Sequence, residues 1–182
     1  MEPVEINAGA YYLRAMRDDS RINDRQRILE GFNDPEFVRW LPHIRIPDLA
    51  AAGDYIARRA ADWAADRRYS WAVADPLTAV MLGEVLLKEV DLAAGTAEAG
   101  IWAHPDARGK GITTLALSAV LRFAFGGLGL TQITYQHSRG NTASGRVAAK
   151  LGFSTFRDHG LAVPADIVVL VARNAPGEPV VG

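Results

Sequence analysis

Ile101-Trp102-Ala103-His104-Pro105 runs through Asp106-Ala107 into Arg108-Gly109-Lys110-Gly111-Ile112-Thr113, an apolar strand that halts at a proline and resumes as a helix opened by glycines. Such a junction is built to hold an anion. A helix start leaves backbone N–H groups without partners, and the helix dipole adds about half a positive charge there, so a phosphate or pyrophosphate is the natural guest. Gly109 and Gly111 let the backbone approach that guest and adopt the angles of a tight phosphate nest. The spacing excludes the two commonest nests. A P-loop needs Gly-Lys-Ser/Thr, whereas Lys110 is followed by Gly111, and the third glycine of a dinucleotide fingerprint would fall on Thr114.

What remains is Arg-x-x-Gly-x-Thr after a strand and Pro105. A second block follows at Asn141-Thr142-Ala143-Ser144, Val147 and Lys150-Leu151-Gly152-Phe153. On these two blocks the chain resembles the GNAT acyltransferase superfamily, whose signature Arg/Gln-x-x-Gly-x-Gly/Ala clasps the pyrophosphate of acetyl-coenzyme A. Thr113 departs from the usual small residue at its last position. The second block looks like the Asn-x-x-Ser helix and Leu-Gly-Phe strand entry of the branch that acetylates ribosomal-protein N-termini. The resemblance is close from about Val80 to Phe156 and looser toward the N-terminus, where acceptor specificity usually resides.

Composition sets the outer limits. The 182 residues are 49% hydrophobic, enough for one domain with a sizeable core, expected over 1–175 with a flexible tail at 176–182. A net charge of −1 gives no reason to expect nucleic acid or a membrane surface as partner, so any anion site is local. There is no cysteine, which removes disulfides and thiolate chemistry, and the four histidines lack ligand spacing, so no metal is expected. The start has no basic segment followed by an apolar core, and no run reaches the roughly 18 apolar residues of a membrane span. The expectation is a cytoplasmic protein, monomer or homodimer.

Along the chain, Ala10 to Met16 reads as a strand, Asn23 to Phe32 and Pro35 to Trp40 as short helices with Asp34 capping the second, and Asp48 to Arg68 as a long amphipathic helix. Ser70 to Ala74, Ala79 to Val90 and Thr96 to Ala103 read as strands. Gly109 to Phe125 is a buried helix, Thr131 to His137 a strand, Asn141 to Leu151 a helix, and Ser154 to Arg157 and Ile167 to Ala172 the closing strands. Mixed helices and strands give an α/β or α+β fold. The resemblance implies the GNAT version: a mixed, mostly antiparallel sheet with splayed middle strands and helices on both faces.

The resemblance also implies roles. Thr96 to Ala103 and Thr131 to His137 would splay, with the pantetheine arm lying between them against the backbone of Ile101, Trp102 and Ala103, where a backbone N–H can meet the developing oxyanion. Arg108, Gly109, Lys110, Gly111, Ile112 and Thr113 would hold the pyrophosphate. Asn141 is expected to reach the cofactor, and is equally a good helix cap. Ser144 is the expected proton donor to the departing thiolate, which at a pKa of about 8.5 needs little help, and is equally a plain helix serine. For the base, Gln136 stands where some relatives carry glutamate, leaving Glu98, then Glu84, both otherwise solvated strand carboxylates, and His137, otherwise structural. His104 reads as structural or phosphate-adjacent. The implied function is an acetyl-CoA-dependent N-acetyltransferase working by direct attack of a primary amine, the acceptor being a protein N-terminus or a small amine, with a longer acyl donor left open. The alternative is a catalytically weak acyl-CoA sensor or interaction module, for which Gln136, Thr113 and Ala148, a tyrosine in many relatives, are the support.

Overall fold

Tyr69, Trp71, Val73, Val85 and Leu87 alternate with Ser70, Ala72, Glu84 and Leu86 along two neighbouring strands, and both sets are buried. A sheet buried on both faces needs helices on both. The computed structural model describes residues 1–155 and 164–174. Its elements run β1 (Ile6–Asn7), β2 (Tyr12–Arg14), α1 (Arg25–Phe32), α2 (Pro35–Trp40), α3 (Leu49–Ala64), β3 (Arg68–Ala74), β4 (Met81–Asp91), β5 (Thr96–Ala103), α4 (Ile112–Arg122), β6 (Gln132–Ser138), α5 (Thr142–Lys150), β7 (Ser154–Thr155) and β8 (Ile167–Arg173). The strands form one eight-stranded sheet in the order β1-β2-β3-β4-β5-β6-β8-β7. Pairing is antiparallel except between β5 and β6, which are parallel and joined through α4.

That parallel pair places the site. Thr96 to Ala99 pair with Gln132 to Tyr135, and there the pairing stops, although β5 continues to Ala103 and β6 to Ser138. The middle strands therefore splay. On one face Ile112, Ala116, Leu117 and Val120 of α4 and Ala148 of α5 pack on Val85, Leu87, Ala99 and Ile133. On the other, Ile28 and Phe32 of α1, Phe37 of α2 and Tyr55 and Ile56 of α3 pack on Ala72, Met81 and Trp102. Phe32 and Phe37 both meet the Trp102 ring edge-on, at centroid distances of 5.2 and 6.0 Å.

Several boundaries move for identifiable reasons. The strand expected over Ala10 to Met16 is only Tyr12–Arg14, because Gly9 turns at φ +76° and a further two-residue strand precedes it. The long helix stops at Ala64 rather than Arg68. Asp66 takes φ +52°, and Arg68 already belongs to β3. The helix expected from Gly109 begins at Ile112 and passes into a π-helical turn over Phe123–Gly127. Of the strand expected over Ser154 to Arg157, positions 156 and 157 lie outside the described residues, as does the expected tail. Among the described residues no helix is long and apolar enough to cross a membrane.

Candidate active site

Strand alternation determines which backbone groups face the splay. His104 donates its N–H to Leu82 O at 2.8 Å, continuing the β4–β5 register in which Trp102 opposes Glu84 and Gly100 opposes Leu86. Peptide groups of alternate residues point to opposite edges, so those of Ile101 and Ala103 turn away from β4 into the gap. Beyond the end of β5, Pro105–Ala107 makes one 3₁₀ turn, and Gly109 and Gly111 follow at φ +76° and +74°. Both sit in the left-handed region that only glycine occupies readily, and a Cβ on either would meet nothing within 4 Å. Gly111 is the N-cap of α4 and supplies no side-chain acceptor, so the first amides of α4 stay available above an open space.

Two cavities meet at the splay. One, of about 700 Å³, is lined by Arg108, Gly109, Gly111, Ile112, Thr113 and the start of α5. The other, of about 520 Å³, extends under α1–α3. They share Ile101, Trp102, Tyr135, Asn141 and Ser144 as a common wall. A glycine-walled cleft open at a helix start fits a pyrophosphate, and a gap with free strand edges fits an extended arm bearing amides.

The loop residues are placed as follows. Arg108 reaches across to Asp34 with Nη2–Oδ2 at 2.7 Å and Nη1–Oδ1 at 3.3 Å. Asp34 also caps α2 by accepting from the Glu36 and Phe37 amides, and the Arg108 guanidinium is the main reason its carboxyl titrates below the usual range. The loop is thus tied to α2. Lys110 turns its Nζ back to Asp106 O at 2.9 Å, while its own carbonyl accepts from the Tyr11 hydroxyl at 3.0 Å. His104 is buried between Asp106 (Nδ1, 2.8 Å) and Glu30 (Nε2, 3.2 Å), a bracing position at the end of β5.

Asn141 caps α5, its Oδ1 accepting from Ser144 N–H at 3.0 Å, which leaves its amide N–H groups and one oxygen lone pair for a partner at the shared wall. Ser144 Oγ lies 2.7 Å from the Tyr135 hydroxyl. Burial raises the Tyr135 pKa, so it stays a neutral hydroxyl. Tyr135 joins the site unannounced by the sequence motifs. Its one advance signal is its place in the alternation Ile133, Tyr135, His137, and its meeting with Ser144 depends on how α5 folds back over β6.

The residues expected as candidate bases divide sharply. Glu84, read from sequence as a solvated strand carboxylate, is 0% exposed and accepts from Tyr55 Oη (2.7 Å), Trp102 Nε1 (2.9 Å) and Arg68 (3.2 Å). Glu98, read likewise, is 7% exposed, pairs with Lys88 at 3.0 Å and accepts from Gln136 Nε2 at 3.0 Å. Burial raises its pKa against the pull of Lys88. His137 is half-buried beside Gly145 of α5, and its Nδ1 lies 2.9 Å from Ser138 O. A carbonyl only accepts, so Nδ1 carries the proton and Nε2 of the neutral ring is left as the basic atom. Glu84, Glu98, His137, Asn141 and Ser144 all line the 520 Å³ cavity. Among the described residues no cluster of three potential metal ligands occurs.

Solved structures share this architecture. A protein assigned as a ribosomal-protein-serine acetyltransferase from Vibrio cholerae superimposes with a TM-score of 0.79 at 19% identity, over 96% of this chain and 100% of that one. The ribosomal-protein-S5-alanine acetyltransferase of Vibrio fischeri gives 0.77 at 18%, over 97% and 100%. A spermidine N-acetyltransferase from Vibrio cholerae, in complex with CoA and spermine, gives 0.74 at 16%, over 90% and 95%. No curated protein matches the chain by sequence. The family model described as Acetyltransferase (GNAT) domain matches residues 12–154, which takes in the splayed strands, the glycine loop and the Asn141 helix. The chain belongs to the GNAT acetyltransferase family.

Proposed function

We propose that this protein transfers an acetyl group from acetyl-CoA to a primary amine by direct attack, with the donor in the 700 Å³ arm of the cleft and the acceptor in the 520 Å³ arm. The observation that carries the reading is the parting of β5 and β6 after Ala99 and Tyr135, in line with the glycine-opened start of α4. The α4 amides with Gly109 and Gly111 take the pyrophosphate, helped by Ile112 and Thr113. Lys110 adds charge nearby, and Arg108 does so on leaving Asp34.

The amine nitrogen attacks the thioester carbonyl carbon, the carbon–sulfur bond breaks, and an amide and the CoA thiol result. An α-amine has a pKa near 7.7–8.0, so a minority is already neutral at pH 7 and the remaining proton needs only a modest acceptor. Glu98 and the Nε2 of His137 serve, directly or through water. The peptide groups of Ile101 and Ala103 align the arm, and an N–H from that edge stabilises the oxyanion. Ser144, oriented by Tyr135, hands a proton to the leaving sulfur, and Asn141 fixes the helix that carries Ser144. Trp102 forms the wall between the two arms.

Calorimetry with acetyl-CoA against wild type and Gly111→Asp tests the donor site. The variant puts a carboxylate in the phosphate nest and an L-residue at φ +74°, and is expected to abolish binding. Undiminished affinity in the variant would remove the loop from the site. CoA release with primary amines then reads the reaction.

A further inference from the structure

The acceptor arm is charged in one direction. Arg45, Arg58, Arg59, Arg68 and Lys88 line it, against Glu84 and Glu98. Both carboxylates already have cationic partners, Glu84 with Arg68 at 3.2 Å and Glu98 with Lys88 at 3.0 Å. Register makes this a fixed feature of the sheet. Arg68 opposes Lys88, which opposes Glu98, so the three stand side by side on the face under α3.

Three further guanidinium groups line the arm. Arg59 shares Asp62 with Arg67, at 3.0 and 3.1 Å, lies over the Tyr55 ring at 4.8 Å, and keeps its Nε buried without a hydrogen-bond partner among the described residues. Arg45 and Arg58 are exposed at the mouth, and among the described residues neither has an acidic partner within 4 Å. Asp48 is spent on the N-cap of α3, and neither it nor Asp54 lines the cavity.

Resting on the acetyl-transfer reading, we infer that the acceptor is an anionic amine, one whose own molecule carries carboxylate or phosphate charge for the Arg45, Arg58 and Arg59 cluster to bind. A guanidinium is the side chain best matched to either anion, presenting paired N–H donors and holding its charge at all working pH values. A polycation meets the opposite situation. It would find the two carboxylates of the arm already neutralised and, at the entrance, two cations with no acidic partner among the described residues, beside an Arg59 that shares its one carboxylate with Arg67. Binding the anionic end there leaves the amine pointing along the arm toward Glu98, His137 and the shared wall. Acidic N-terminal peptides, free acidic amino acids and phosphorylated amines share this chemistry.

The test measures kcat/KM by CoA release for the C-terminally amidated tripeptides Ala-Asp-Glu, Ala-Gln-Gln and Ala-Lys-Lys, which differ only in side-chain charge, and for aspartate, O-phosphoserine and spermidine, alongside acetyl-CoA binding by calorimetry. At least one anionic acceptor is expected to exceed its neutral or cationic counterpart tenfold or more, with the margin shrinking in added salt. Preference for the tripeptide, for aspartate or for O-phosphoserine then says which source of charge the arm takes. The double variant Arg45→Gln, Arg58→Gln, altering two exposed side chains, should erase that margin while changing kcat/KM for Ala-Gln-Gln less than twofold. Equal use of all acceptors, preference for Ala-Lys-Lys or spermidine, survival of the margin in the variant, or no turnover of any anionic acceptor by protein that binds acetyl-CoA would each overturn the inference and leave the acetyl-transfer reading standing. Failure to bind acetyl-CoA would instead overturn that reading, and this inference with it.

Discussion

Replacing Glu84 by alanine removes one carboxylate and strands three donors. Tyr55 Oη, Trp102 Nε1 and Arg68 all lose their acceptor at a position that is 0% exposed, and water does not readily take its place. Breaking a buried ion pair from one side costs about 3–5 kcal/mol, because the surviving charge and polar groups remain desolvated. At about 2–4 °C per kcal/mol for a chain of this size, that corresponds to a fall in Tm of about 6–20 °C. Glu84→Gln keeps the shape and one acceptor oxygen and gives up the charge, so its loss should be smaller, about 1.5–3 kcal/mol. Urea unfolding followed by tryptophan fluorescence measures both, Trp102 itself reporting on the site. Because Glu84 is enclosed by donors, Glu84→Gln should leave kcat within about tenfold, whereas loss of a general base costs about 100-fold or more. A destabilisation of Glu84→Ala below about 1 kcal/mol, or a kcat loss of the larger size in Glu84→Gln, would refute the assignment of Glu84 to structure.

Two further outcomes follow from the geometry. On the role proposed for Ser144 at the leaving sulfur, Ser144→Ala should lower kcat by roughly tenfold or more with little change in acetyl-CoA affinity, and unchanged turnover would end that role. Asp34→Asn keeps an N-cap for α2 but loses the charge facing Arg108. The depressed Asp34 pKa means that its stabilising contribution is present above 3.8 and lost as pH falls through the lower folded value, so the stability gap between wild type and variant should narrow below pH 3.8. A gap independent of pH between 2 and 6 would show that the ion pair contributes nothing.

The order of elements from Ser70 onward was readable because its signals are local. Apolar alternation marks β3 to β5, and proline, glycine and the Asn141 cap mark the breaks around α4 and α5. The glycine loop that lines the larger cavity was readable for the same reason, since its course is set by the backbone angles of Gly109 and Gly111 themselves. The walls of the smaller cavity were not. Arg68 falls at the end of an alanine-rich helical pattern, and only the left-handed turn at Asp66, made without glycine, sends it into β3 and onto the row with Lys88 and Glu98. Glu84 reads as a solvated strand residue because strand 4 has no sequence mark of being covered on both faces, and its partners Tyr55, Arg68 and Trp102 come from three other elements. The Arg108–Asp34 contact joins residues 74 positions apart, beyond any periodicity.

The short β5–β6 seam gives the sheet an unequal mechanical build. Five strands on one side and three on the other are held together by four residue pairs in the parallel arrangement, the weaker of the two ways strands can join. The sheet is therefore two plates on a narrow hinge, and a molecule lying in the gap acts as a splint across them. Rigidity then becomes a property of donor concentration: at 100 times its Kd a bound donor adds about 2.7 kcal/mol to the cost of unfolding. Amides of β6 and β8, the plate with fewer strands, are where slowed hydrogen exchange would register that splint.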